Sequence, residues 1–277
     1  MLKGIASVTA IFSGIHISAS VAALFFPRHD TMPTMRRRFF VDKFEDATAT
    51  VRGETAEHLG RVLRAEPGQL YELSDGERVW LARVERVGLL KRGDNRVEFS
   101  LVEPIEAREP ALHLHLLIAL VKFDRFEWCL EKATELGVSE ITPLIAARTD
   151  KALAAAAAKR YARWERIVLE SAQQSRRLRP PKIAEAIALE KAYRASRADC
   201  KILLSERSDA PPIHSVLRNV TAKSAEISIG PEGGWTDGEL DAARAAGFME
   251  ASLGELVLRT ETAVLASLAI LHFALDA

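Results

Sequence analysis

Two glycine-bearing segments near the C-terminus carry the residue types best suited to chemistry: Ile227-Ser-Ile-Gly-Pro-Glu-Gly-Gly-Trp235 and Leu253-Gly-Glu-Leu-Val-Leu-Arg-Thr-Glu-Thr262. Each follows a short apolar β-type run and leads into a helix. Backbone amides and carbonyls at two strand ends are thereby set to converge on one small-molecule ligand. Glycine admits a ligand to the main chain where a Cβ would block it, and it permits positive φ in tight loops. Neither segment has the spacing G-x-G-x-x-G or G-x-x-x-x-G-K-[ST], so the usual dinucleotide and triphosphate readings lose their support. His113 and His115 alternate on a strand-like run, but no carboxylate or cysteine set lies beside them in sequence. They read as ordinary strand residues, and no metal is expected.

The elements that must position these segments belong to a chain of 277 residues, 48% hydrophobic and 27% charged, with zero formal net charge. That balance suits a globular chain of one or two domains. It also means that affinity for nucleic acid must come from local patches rather than from the field of the whole molecule. Cys129 and Cys200 lie far apart in no ligand or redox spacing and read as small core residues in a reducing compartment. From Gly4 to Pro27 no side chain is charged, a pattern open to a signal peptide or a membrane span. Serines, a threonine, glycines and His16 interrupt that run, and Met35-Arg-Arg-Arg-Phe-Phe-Val-Asp42 reads as a natural beginning. Residues 1–34 are therefore expected to be an upstream extension or a mis-assigned start, with no membrane partner.

From Phe39 to about Val102 the pattern is β-rich with one short helix, Thr55 to Leu63. Leu70 to Leu73 and Val79 to Val84 flank Ser74-Asp-Gly76, whose Asp-Gly pair predicts a tight hairpin turn. A further strand covers Val97 to Val102, and several short strands in so few residues suggest a small barrel. Glu103 to Pro110 reads as a linker. Strands then alternate with helices, which implies a parallel α/β domain. The strands are Leu112 to Val121, Ile141 to Ile145, Lys201 to Leu204, Glu226 to Ile229 and Phe248 to Leu253. Asp124 with Glu127 predicts a capping box for a helix that buries Phe126, Leu130 and Ala133 and stops at Gly137. A long helix from Leu153 to Ser175 puts Tyr161, Trp164, Val168 and Ala172 on one face. Thr236 with Glu239 predicts a second capping box, Gly247 the end of that helix, and Thr262 the start of the last one.

Arg38-Phe-Phe-Val41, His58-Leu-Gly-Arg-Val-Leu-Arg64, Glu131-Lys-Ala-Thr-Glu-Leu-Gly-Val138, Ile141-Thr-Pro143 and Gln173-Gln-Ser-Arg176 occur in that order. With Ile229-Gly-Pro-Glu-Gly-Gly234 and Leu258-Arg-Thr-Glu-Thr262, they resemble the successive signatures of RsmE-type 16S ribosomal RNA uridine-N3 methyltransferases of the SPOUT superfamily. The likeness runs from about Met35 to the end. It departs at Glu255, where a small or basic residue is usual, and at Lys122-Phe-Asp124, where Lys-Gly-Asp is. The resemblance implies a PUA-like RNA-binding barrel over 35–107 and a SPOUT domain over 108–277, an α/β parallel sheet with a C-terminal trefoil knot. It further implies S-adenosyl-L-methionine as methyl donor, a homodimer, 16S rRNA in the small ribosomal subunit as partner, and a cytoplasmic location. Rival readings are another SPOUT methylase, acting on a different nucleotide or on ribose O2′, and a non-catalytic RNA-binding or assembly protein.

Residue by residue, the resemblance assigns donor binding to Leu203, Leu204, Gly230, Pro231, Gly233 and Gly234 in the first strand-end region. Leu253, Gly254, Leu258 and Thr260 serve the second. Uridine N3 carries a proton and is a poor nucleophile until that proton leaves. Arg259, a permanently charged fork of donors, is the candidate for stabilising the developing negative charge. Glu232 or Glu261 is the candidate proton acceptor. Arg36, Arg37, Arg38, His58, Arg61 and Arg64 in the first domain, with Arg176, Arg177, Arg179 and Lys182 in the second, are the candidate RNA contacts. For the second cluster, a solvated helix end is the alternative.

Overall fold

The computed structural model describes residues 37–89, 95–107 and 109–275. The expected extension over 1–34 and the candidate Arg36 lie outside the described residues. Among the described residues, no helix is long and apolar enough to cross a membrane.

The first sheet is built from β1 (Arg38–Phe40), β2 (Thr48–Arg52), β3 (Leu70–Ser74), β4 (Val79–Gly88) and β5 (Arg96–Ile105), in the order β1-β3-β4-β5-β2. Only β1 and β3 run parallel. Alternation drives Phe39, Leu73, Val84 and Phe99 into one core, where Tyr71 meets both phenylalanine rings edge-on at 5.7 and 6.4 Å. Two local expectations change. The hairpin joins β3 to β4 through residues 75–78 rather than a two-residue turn, and of the Asp-Gly pair only Gly76 takes positive φ, at +88°. Asp75 works through its carboxylate, which accepts from the backbone N–H groups of Glu77 at 3.0 Å and Arg78 at 2.7 Å. The helix expected over 55–63 begins earlier, as α1 (Gly53–Glu57), and widens into a π-type turn over His58–Val62. Within that turn Gly60 sits so close to Leu89 that a Cβ would approach its Cδ1 to 2.6 Å.

The linker is shorter than expected because β5 stays paired with β4 out to Ile105. The second sheet then holds β6 (His113–Ala119), β7 (Glu140–Ile145), β8 (Lys182–Ile183), β10 (Cys200–Leu204), β11 (Ser224–Ile229) and β12 (Met249–Ala251). All are parallel, in the order β12-β10-β11-β6-β7-β8, and β9 (Ile187–Ala188) also pairs with β7. Its helices are α2 (Phe123–Glu135), α3 (Lys151–Gln174), α4 (Leu189–Ala195), α5 (Ile213–Val216), α6 (Asp237–Ala245) and α7 (Thr260–Leu275). The period-2 alternation of β6 sends Leu114, Leu116 and Ile118 to a face shared with Phe126, Trp164 and Leu268. Leu117 points the other way, into a smaller core with Leu189, Tyr193 and Leu240 from α4 and α6.

Glycine stops act as expected: Gly137 and Gly247 both take φ of +84° after α2 and α6. The capping box at Thr236 and Glu239 forms. The one expected at Asp124 and Glu127 does not. Helix α2 starts at Phe123, so Asp124 falls inside the first turn, where its charge meets the helix dipole. Glu127 turns instead to α3, accepting from Arg163 at 2.9 Å and lying 3.6 Å from Arg160.

Candidate functional site

Strands β10, β11 and β12 end side by side, and each runs into a segment whose backbone must turn. Between them lies a cavity of about 460 Å3. Leu204 and Glu206 contribute one wall, Gly230 and Pro231 a second, and Leu253 and Gly254 a third, with Thr260 at the start of α7 closing the floor. A crevice outside the carboxyl ends of parallel strands is where open α/β sheets bind ligands.

Local chemistry sets its shape. The Trp235 indole N–H donates to the Leu204 carbonyl at 2.8 Å and lays the ring against Gly230, where a Cβ would come within 3.0 Å of Cε2. Gly230 is glycine because the indole occupies that space. Arg148, from the loop after β7, donates through Nη1 to the carbonyls of Gly233 at 2.5 Å and Trp235 at 3.1 Å, clamping the glycine loop from outside. Gly254 takes φ of +130° with open space beside it, so the backbone itself faces the cavity. The Thr260 hydroxyl lies 3.5 Å from the Gly230 carbonyl and brings the two glycine segments together.

Of the expected donor-binding residues, Leu204, Gly230, Pro231, Gly234, Leu253, Gly254, Leu258 and Thr260 line this cavity. Leu203 does not: alternation along β10 buries it on the α4 and α6 side. Gly233 lies beside the Arg148 side chain rather than in the wall. Arg259 and Glu232 also line the cavity, and Glu232 Oε1 is 3.4 Å from Arg125 on α2. Glu261 stands outside the wall, with Oε2 buried and unpartnered. Its charge adds to the burial that pushes the Cys129 thiol up to about 12. Arg148, Glu206, Arg207 and Asp237 line the cavity too. Glu206 and Arg207 were findable, since they are the first charged residues after β10; Arg148 comes from a distant loop and left no local signal.

The basic residues are distributed differently from their sequence clusters. Arg38 is 7% exposed and donates to Glu72 Oε2 from Nε at 3.1 Å and Nη2 at 2.9 Å. Arg176, just beyond α3 and in the left-handed region at φ +56°, reaches the same carboxylate, with Nε 3.1 Å from Oε2. Arg177 caps the end of α2, donating to the carbonyls of Thr134 at 3.0 Å and Val138 at 2.6 Å, and burial lowers its pKa to about 10. Arg179 pairs with Glu109, and Arg61 with Glu57. Arg37, Arg64 and Lys182 are exposed and His58 half-buried. Among the described residues no group of histidine, cysteine or carboxylate side chains is placed to hold a metal.

A twisted parallel sheet with a glycine-walled crevice at its strand ends, joined to a small β-sheet module, defines an α/β ligand-binding domain of enzyme type. The family described as RNA methyltransferase domain matches residues 108–272. The ribosomal RNA small subunit methyltransferase E of Synechocystis is 34% identical over 239 residues, 83% of this chain and 75% of that one. The crystal structure of the Neisseria gonorrhoeae methyltransferase of the same name, bound to S-adenosyl methionine, superposes with a TM-score of 0.75 at 31% identity, covering 87% of this chain and 98% of that one. A putative methyltransferase from Legionella pneumophila, solved with SAM bound, gives 0.75 at 30% identity over 86% and 98%. The chain belongs to the RNA methyltransferase family of the ribosomal RNA small subunit methyltransferase E type.

Proposed function

We propose that this chain transfers a methyl group from S-adenosyl-L-methionine to N3 of a uridine in 16S ribosomal RNA. The observation that carries the reading is the cavity at the ends of β10, β11 and β12, in a chain of the RNA methyltransferase family. The residues present fit a sulfonium nucleoside. Backbone at Gly254 is open to the cavity, Leu204, Leu253 and Leu258 offer apolar cover for a purine, and Glu206 and Asp237 set negative charge beside a cationic ligand. When bound, that donor supplies an electrophilic methyl carbon.

The chain's own part is positioning and charge. In-line displacement requires the attacking nitrogen to be held at near contact, which walls of fixed backbone achieve better than mobile side chains. Arg259, exposed at the cavity edge just before α7, stabilises the uracil anion as N3 loses its proton. Glu232, in the same wall, is the proton acceptor we favour over Glu261, which does not line the cavity. For RNA we favour Arg37, His58, Arg61, Arg64, Arg179 and Lys182, because Arg38 and Arg177 are committed to internal bonds.

We assign 35–107 to a PUA-like barrel and 108–277 to a SPOUT domain, with 1–34 an upstream extension. The five-stranded sheet curled around its own core supports the first assignment. Helix α7 supports a trefoil knot: it follows edge strand β12 yet packs back at the centre, on β11 and α2. Exposed apolar side chains on neighbouring elements, Trp128 on α2 and Phe273 on α7, with Leu256 and Val257 between β12 and α7, support a homodimer. A ribosomal RNA substrate supports a cytoplasmic location.

A methyl at N3 blocks the Watson–Crick edge, so primer extension on 16S rRNA from cells with and without the gene tests the proposal. The expected result is a stop that disappears on deletion and returns on complementation. A stop that persists, with no second enzyme making it, would sink the assignment.

A further inference from the structure

The two histidines that read as ordinary strand residues lie at the start of β6, at the opposite end of the strands of the second sheet from the glycine-walled crevice. They stand over a second cavity of about 460 Å3 beneath α4. Register places Glu226 on β11, His115 on β6 and Glu140 on β7 side by side. The backbone positions of the two glutamates therefore flank that of His115 about 10 Å apart, two strand spacings. His115 Nδ1 is 2.7 Å from Glu226 Oε1, and its Nε2 is 2.8 Å from the Thr142 hydroxyl. Both ring nitrogens are thereby engaged. The other carboxylate oxygen, Glu226 Oε2, is buried without a partner in a residue 2% exposed, and so is the Ser196 hydroxyl just beyond α4, in a residue 7% exposed. Both residues line the cavity.

A buried carboxylate oxygen with no donor is expensive, and its cost is recovered only by an N–H or O–H group from elsewhere. The two cations nearest Glu226 and Ser196 are turned to carbonyls. Lys201, in register beside Glu226, directs Nζ to the carbonyls of Ala246 at 3.1 Å and Ser196 at 3.4 Å. Arg197 donates to the carbonyls of Ser196 at 2.8 Å and Arg194 at 3.0 Å. Two carboxylates disfavour an anion. An ammonium offers three donors, enough for Glu226 Oε2 and Ser196 Oγ together. Leu117, Ile187 and Ala192 provide aliphatic wall for a short methylene chain, and exposed His113 marks the side open to solvent.

We propose that the cavity walled by Glu226, His115, Glu140 and Ser196 binds a short aliphatic diammonium ion, one ammonium on Glu226 and the other toward Glu140. The site is separate from the methyl-donor crevice and stands or falls independently of it.

Calorimetry with 1,4-diaminobutane tests this, with butan-1-ol as the uncharged control. The expected result is saturable binding of the diamine, none of the alcohol, and at least ten-fold weaker diamine binding by Glu226→Gln protein that keeps the wild-type circular dichroism. Equal binding by that variant, or no saturable binding by the wild type, overturns the proposal. Should the variant fail to fold, NMR of the His115 ring in the wild-type protein decides. Saturable movement of its resonances with the diamine supports the site, and resonances that stay fixed refute it.

Discussion

Arg259 is a permanently charged donor at the cavity edge just ahead of α7, and among the described residues no ion pair ties it to a carboxylate. A single donor aimed at a developing oxyanion is worth about 100- to 1,000-fold in turnover. Arg259→Ala is expected to lower methyl incorporation into ribosomal RNA by about 100-fold. Donor affinity, read by calorimetry, should stay within about two-fold, because the donor cavity is walled mainly by backbone and aliphatic groups. Unchanged turnover would remove Arg259 from the mechanism. The two candidate glutamates, one in each glycine segment, are separated by three-dimensional placement: Glu232 lines the cavity, whereas Glu261 does not, and its charge acts on Cys129.

Helix α6 shows how one element holds the site. Thr236 Oγ1 accepts from the Glu239 N–H at 3.3 Å, and Glu239 Oε2 accepts from the Thr236 N–H at 2.8 Å. The remaining oxygen, Glu239 Oε1, accepts from the Ala147 N–H at 2.8 Å, next to the Arg148 that clamps the glycine loop. Loss of the cap alone by Thr236→Ala should cost about 1 kcal/mol in urea unfolding. Glu239→Ala removes the cap and the tie to Ala147 and should cost about 2–3 kcal/mol, since it also strands a partly buried donor. Only the second variant is expected to weaken donor binding. Equal effects of the two on that affinity would show that the tie to Ala147 does not position the loop.

Between the two sheets, a single carboxylate does most of the joining. Glu72 is 3% exposed and receives Arg38 from its own sheet and Arg176 from the end of α3, while the Ser74 hydroxyl donates to the Leu178 carbonyl at 2.6 Å. Burial lowers the Arg38 pKa even with Glu72 beside it, so removing the carboxylate would leave a desolvated cation. Glu72→Ala should destabilise the protein by about 3–5 kcal/mol. Arg176→Ala should cost about 1 kcal/mol or less, because that guanidinium is half exposed and solvent screens it. Chemical denaturation of the two variants separates these outcomes, and equal losses would contradict a buried tie centred on Glu72.

Sequence alone was enough for whatever depends on neighbours a few residues away. Short apolar runs between helical segments marked the parallel strands, Gly137 and Gly247 marked helix ends, Thr236 and Glu239 marked a cap, and the two glycine segments marked the crevice. The order of motifs pointed to the family. Partnership across the fold was not legible. Arg38, Arg176 and Arg177 look like phosphate contacts in the chain and turn out to hold a carboxylate and a helix end. Asp124 looks like a cap and is not one, because the helix begins a residue earlier. His115 looks inert until β11 brings Glu226 against it. The physical reason is the same in each case: a periodic pattern decides which face of an element is buried, but which strand lies next to which decides what a buried or charged group meets there.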